Sequence, residues 1–340
     1  MNSDTPYRRR LRYSGKFPRR FEEKYKELDA SNNPETVAKV LASGKTPAGS
    51  HVPIMVREVL EVLHPRPGET AVDCTLGRGG HARALLARIA PGGRLLALDV
   101  DPIEFPKTEA LLRAEGFGPE ILTARQANFA GFPGILAAEG LAGADIVLAD
   151  LGVSSMQLDN PARGFTSKHA GPLDMRMNPE RGLSAAQWLE RTSPALLEAT
   201  LADNADEPHA ALLAAALAGK SFALTRDLTA AVCEVLKSRP EDVQKKAVRR
   251  VFQALRIVVN QEFGVLEALL RSLPLCLNAG GRVAVLTFHS GEDRRVKKAF
   301  QAGFRAGVYR AVAEEILRAT PEECRANPRA TAAKLRWAQR

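Results

Sequence analysis

Between positions 51 and 158 the apolar residues alternate between two spacings. Met55, Val56, Val59, Leu60 and Leu63 recur three and four residues apart, which predicts a helix over 54–63. Short, nearly continuous apolar runs at 70–75, 94–99, 120–124 and 144–150 read instead as buried strands. Helical segments of about ten residues separate these runs, so successive strands are joined by crossovers and lie parallel. The predicted class is therefore α/β, a doubly wound sheet of the Rossmann-like kind. Such sheets bind ligands outside the carboxyl ends of their strands. Asp73, Asp99, Phe129 and Asp150 fall at or just beyond predicted strand ends and converge on one crevice.

From about 159 the rhythm changes. A loop rich in Gly and Pro runs through Asp159–Phe165 and Gly171–Met177. Helical segments follow at 184–191, with Ser184 as N-cap, and at 194–201, 208–218 and 225–237. A single long basic helix is expected over 243–273, and a late strand over 281–288, after a Gly-Gly turn, rejoins the sheet. The expected organisation is a sheet domain over 51–158 and 246–340, interrupted by an inserted helical substrate-recognition domain over 159–245.

Charge adds a partner class. The 340-residue chain carries a formal net charge of +9, which favours a polyanion, nucleic acid before acidic membrane. Residues 1–50 concentrate this charge: Arg8, Arg9, Arg10, Arg12, Lys16, Arg19 and Arg20 interleave with Tyr7, Tyr13, Phe17 and Phe21. They are expected to form a basic flexible arm that contacts phosphates and stacks on bases. A solvated tail is the other reading, and Glu22, Glu23 and Glu27 count against a transit segment. No apolar run reaches the roughly 18 residues of a membrane span. Cys74, Cys233, Cys276 and Cys324 lack metal or disulfide spacing, so a reducing cytoplasmic compartment and no protein-bound metal are expected.

The stretch Ala71-Val-Asp-Cys-Thr-Leu-Gly-Arg-Gly-Gly-His81 carries the chemistry. A strand ends in glycines and opens a helix, a junction that brings backbone N–H groups close to a ligand. It lacks the third glycine of a dinucleotide fingerprint and the Lys of a phosphate-binding loop. What remains is an acid-x-Thr-x-Gly-x-Gly turn beginning at Asp73, with a second acid, Asp99, closing the next strand. This pattern resembles the first motif of class I S-adenosylmethionine-dependent methyltransferases. Asp73 would receive the methionine ammonium and Asp99 the ribose diol.

Further stretches narrow the resemblance: Thr75–His81, Asp150-Leu-Gly-Val-Ser-Ser-Met-Gln-Leu-Asp159, Arg163-Gly-Phe165, Gly171–Met177, Phe252–Ile257, Phe288-His-Ser290, Glu292-Asp-Arg294 and Asn327-Pro-Arg329. In this order they resemble the bacterial ribosomal small-subunit RNA cytosine-N4 methyltransferases, over about 50–340. The resemblance implies S-adenosylmethionine as cofactor, held by Gly79, Gly80, His81, Asp99, Phe129, Asp150 and Gln157. It implies ribosomal RNA of the small subunit as partner, methylated at N4 of a decoding-region cytidine. Phe129 reads otherwise as core and Gln157 as a helix cap. Gly291 stands where the family usually has leucine.

The cytosine amine is a poor nucleophile, its lone pair delocalised into the ring, so an acceptor for its N–H helps. Asp150 is the candidate catalytic residue for that role, or for orienting the methionine end of the cofactor. Lys245, Lys246, Arg249, Arg250 and Arg256 on one predicted helix, and Arg294, Arg295, Lys297 and Lys298 on another, are candidate RNA contacts. A catalytically inactive ribosome-binding assembly factor is the alternative. The oligomeric state is not legible in the residues.

Overall fold

The computed structural model describes residues 53–340; the arm expected over 1–50 lies outside the described residues. Helix α1 (Val56–Leu63) leads into β1 (Thr70–Asp73), α2 (Gly80–Ile89), β2 (Arg94–Asp99), α3 (Phe105–Ala114), β3 (Leu122–Gln126), α4 (Phe132–Ala138) and β4 (Ala144–Asp150). After a short α5 (Ser155–Asp159), five helices follow: α6 (Ala185–Arg191), α7 (Pro194–Ala205), α8 (Ala210–Leu217), α9 (Thr225–Val235) and α10 (Glu241–Asn260). Then come α11 (Glu262–Cys276), β5 (Leu277–Thr287), α12 (Ser290–Arg305), β6 (Ala311–Val312), α13 (Pro321–Ala326) and β7 (Lys334–Gln339).

The strands form one seven-stranded sheet in the order β3-β2-β1-β4-β5-β7-β6. β1 through β5 pair in parallel, and β7 is antiparallel to both neighbours. Alternate strand residues point to opposite faces, and each face has its own core. Ala71, Leu95 and Ile146 pack with Val59, Leu63, Leu85 and Leu112 of α1, α2 and α3. Val72, Leu96, Val147 and Val285 pack with Phe132, Leu269, Leu273 and Phe300 of α4, α11 and α12. Both faces are covered, as the continuous apolar runs require. The chain reverses direction across the sheet between β1 and β4, the switch point at which doubly wound folds open a crevice.

The intervening helices bury a third apolar cluster, including Leu189, Leu197, Leu213, Leu228, Val232, Val251 and Leu255. The N-cap at Ser184 is present as a capping box with Gln187. The long helix expected over 243–273 is two helices. Gln261, with φ 52 and ψ 35, is left-handed and breaks it. The break has a local cause: Asn260 bonds Met175 O and Arg256 O through Nδ2 and accepts Met177 N–H through Oδ1. Glu262 then starts α11 while pairing back to Arg256 at 2.8 and 2.9 Å.

Candidate functional site

The end of β1 and the end of β4 are stitched by one hydroxyl. Thr75 Oγ1 accepts the Asp150 N–H at 2.7 Å, while Asp73 Oδ1 accepts the Thr75 N–H at 3.0 Å. Two carboxylates therefore lie side by side at the switch point. Asp73 Oδ2 and Asp150 Oδ1 are both buried without a hydrogen-bond partner among the described residues. Burial pushes the Asp73 carboxyl up to about 7, with the Thr75 N–H opposing and Asp99 adding to the rise. Burial pushes Asp150 up to about 8, helped by the charges of Asp73 and Glu292. His81, buried in the first turn of α2, brings Nε2 to 3.6 Å from Asp150 Oδ2.

The glycine turn shapes this corner. Gly79 caps α2 with φ 73, a conformation that costs an L side chain about 1 kcal/mol or more. Gly80 serves packing: a Cβ there would stand 2.6 Å from Pro53 Cγ. The two glycines thus have different reasons, backbone sign for one and close approach of a neighbour for the other.

Asp99 closes β2 and accepts two backbone N–H groups, from Gly77 at 2.8 Å and from Asp101 at 2.9 Å. Burial raises its pKa, and those two N–H bonds oppose the rise. A carboxylate has about four acceptor sites, so Asp99 retains capacity for a vicinal diol. Two residues on, Asp101 is buried and receives Gln157 Nε2 and Arg163 Nη1, each at 2.8 Å. Arg163 also donates to Arg176 O and Met177 O. Gln157 completes a capping box with Ser154. Its side chain is thus engaged in holding α5 to the β2–α3 loop beside Asp99. The tie between Asp101 and Arg163 is what sequence reasoning missed: Arg163 entered only within the Arg163-Gly-Phe165 stretch, and 62 positions separate the two.

Phe129 begins a 3₁₀ turn just after β3, half-buried against the core on the α11 side of the sheet. Beyond β5 lies a charged cluster that no single motif announced. Glu292 is buried, accepts the Phe288 N–H at 2.8 Å, and lies 3.2 Å from His289 Nε2. Burial alone would raise its pKa, but His289, Arg256 and that N–H together lower it. Glu262, His289 and Glu292 hold ligand-type atoms within 4.8 Å of one another, yet Arg256 already bonds both Glu262 oxygens. Gly291 has a physical reason here: a Cβ would stand 2.6 Å from Phe263 Cζ. The Phe263 ring fills that space, 5.6 Å from the His289 ring and under the Arg295 guanidinium at 3.5 Å.

The residues present fit S-adenosylmethionine. Its methionine end is cationic, and the crevice offers two buried carboxylate oxygens with no partner among the described residues. Leaving such atoms unsatisfied costs about 1–3 kcal/mol each or more, which a bound cation relieves. Asp99 suits a ribose diol, and the Phe129 ring can flank a purine.

The description "MraW methylase family" matches residues 48–340. A protein of Lachnoclostridium phytofermentans named ribosomal RNA small subunit methyltransferase H 1 is 48% identical, covering 99% of this chain and 94% of its own length. One of that name from Agathobacter rectalis is 46% identical over 100% of this chain and 99% of its own. A ribosomal RNA small subunit methyltransferase H 2 of Alkaliphilus metalliredigens is 48% identical, with 99% of both chains covered. The glycine turn, the three strand-end acids and the buried tie between Asp101 and Arg163 all lie within the matched span, and the chain belongs to the MraW methylase family.

Proposed function

We propose that this chain is an S-adenosylmethionine-dependent methyltransferase acting on the exocyclic N4 of a cytidine in the decoding region of small-subunit ribosomal RNA. The observation that carries the reading is the pair of buried oxygens, Asp73 Oδ2 and Asp150 Oδ1, without a hydrogen-bond partner among the described residues, at the switch point of a doubly wound sheet. The names of the relatives support the substrate class, and the geometry at the switch point supports this location for the cofactor.

In this reading the turn Gly79–His81 borders the methionine end, Asp73 and Asp150 face its positive charge, Asp99 holds the ribose and Phe129 flanks the adenine. Gln157 acts through Asp101, keeping the β2–α3 loop in place. The cofactor supplies a methyl group activated by a sulfonium. Asp150 accepts an N–H from the target amine, which localises the nitrogen lone pair for in-line attack. With its pKa pushed up to about 8, Asp150 also has the basicity to take a proton near neutral pH. The cytosine reaches this site only by leaving its stack. The helical segment between β4 and β5 recognises the RNA, and the protein works in the cytoplasm. No helix among the described residues is long and apolar enough to cross a membrane.

The test is transfer of labelled methyl from S-adenosylmethionine to small ribosomal subunits lacking the modification. Transfer by the wild type and its loss in Asp99→Ala support the reading. Tight binding of both cofactor and subunit without transfer would instead make the chain an assembly factor.

A further inference from the structure

The two basic helices differ in how their charge is balanced. On α10, Lys245 pairs with Glu241 at 2.6 Å, Lys246 with Asp242 at 3.3 Å, and Arg250 lies 3.8 Å from buried Glu207. Farther along, Arg256 is held by Glu262. Most of the positive charge on α10 is thus neutralised from within.

Helix α12 is the opposite case. Its acids point inward: Glu292 lies against His289, and Asp293 is bonded by Arg336 at 2.6 Å and Lys334 at 3.3 Å. Its outward bases Lys297, Lys298 and Arg305 are exposed and make no ion pair among the described residues. At 100° per residue, Arg294, Lys297, Lys298, Phe304 and Arg305 fall within a stripe about 120° wide, and buried Val296 and Phe300 lie outside it. Phe304 is 48% exposed within that stripe. Arg294 lies 3.4 Å from Asp206 at the end of α7, which brings the first turn of α12 against the helical segment. The helix starts one residue after His289, beside the carboxylate cluster whose charge reaches Asp150.

From this placement we infer that the outer face of α12, through Arg294, Lys297, Lys298, Phe304 and Arg305, is the track along which single-stranded RNA flanking the target nucleotide runs away from the site. The inference rests on the proposed RNA substrate and adds where its backbone lies. From Arg294 to Arg305 the stripe extends about 16 Å at 1.5 Å per residue. Lys297, Lys298 and Arg305, which make no ion pair among the described residues, release counterions when they meet phosphates, and Arg294 exchanges Asp206 for one. An exposed ring among them provides a stacking platform that tolerates any base. On α10 only Arg249 is exposed without a carboxylate partner among the described residues, while Lys245, Lys246, Arg250 and Arg256 each have one.

The test compares two equal charge reversals in the full chain, Lys297→Glu with Lys298→Glu on α12, and Lys245→Glu with Lys246→Glu on α10. Binding to unmodified small ribosomal subunits is measured from low to moderate salt, with cofactor affinity as the control for folding. The α12 pair should lose tenfold or more in subunit affinity, and the slope of log K against log salt should fall by about 1.5, at 0.7–0.9 per phosphate contact. The α10 pair should change affinity less than threefold, and both variants should bind cofactor as the wild type does. Phe304→Ala should weaken binding without changing the salt slope. Equal losses in the two pairs, or an unchanged α12 pair, would overturn the track. Wild-type protein that methylates no subunit RNA refutes the proposed function; wild-type transfer with an unaffected α12 pair refutes the track alone.

Discussion

Replacing Asp150 by Asn should make the cofactor-free protein more stable at alkaline pH while weakening its hold on the cofactor. The carboxyl of Asp150 is pushed from an ordinary 3.8 to about 8 by burial beside Asp73 and Glu292. Between these two values the folded protein holds a proton that the unfolded chain has released, so stability falls as pH rises through the window. This group's contribution is fully lost above about 8. Each factor of ten in proton affinity corresponds to about 1.4 kcal/mol, which sets a ceiling of about 6 kcal/mol for this group. The side chain is 27% exposed, and partial solvation reduces the expected difference to about 2 kcal/mol. Asn is neutral and nearly isosteric, so the variant should exceed the wild type by only about 0.6 kcal/mol at pH 5 and by about 2 kcal/mol at pH 8.5. Denaturant unfolding of both proteins at the two pH values measures the double difference and cancels groups elsewhere. Saturating S-adenosylmethionine should narrow the gap, since its positive charge stabilises the wild-type carboxylate. A variant that loses stability at pH 8.5, or a difference that does not depend on pH, would refute the burial argument.

Arg163→Met should destabilise the fold by about 3–5 kcal/mol, because it strands the carboxylate of Asp101 in a buried site; thermal unfolding reads this, and Arg163→Met combined with Asp101→Leu should recover part of it. Gly291→Leu should cost about 1–3 kcal/mol by overpacking against Phe263, and Phe263→Ala in the same chain should restore it. Asp99→Ala should weaken binding of S-adenosylmethionine and of its demethylated product alike, by tenfold or more in calorimetry, since both carry the same ribose diol.

The first four strands and their crossovers are legible because buried parallel strands are written as continuous apolar runs, as in Arg94–Asp99 and Ala144–Asp150. The acids closing β1, β2 and β4 follow from the same runs. The partner strand β7 hides because Lys334 and Arg336 interrupt its apolar positions, and both are spent on Asp293. The break at Gln261 hides for a different reason: nothing in a glutamine announces a left-handed turn, and the bonds that hold it come from Asn260 and the loop at Met175 and Met177. The role of Asp101 is set by Gln157 and Arg163, which reach it from 56 and 62 positions away, so no local pattern announces it. The reason for Gly80, contact with Pro53, is equally a tertiary fact.

The most direct test of the central claim is the position of the methyl group. Small ribosomal subunits lacking the modification would be incubated with the protein and labelled S-adenosylmethionine, digested to nucleosides and resolved against standards. The account predicts label in N4-methylated cytidine, absent when Asp150→Asn replaces the wild type. Label at ring carbon five, or on a different base, would contradict the role given to Asp150 and to the amine it faces.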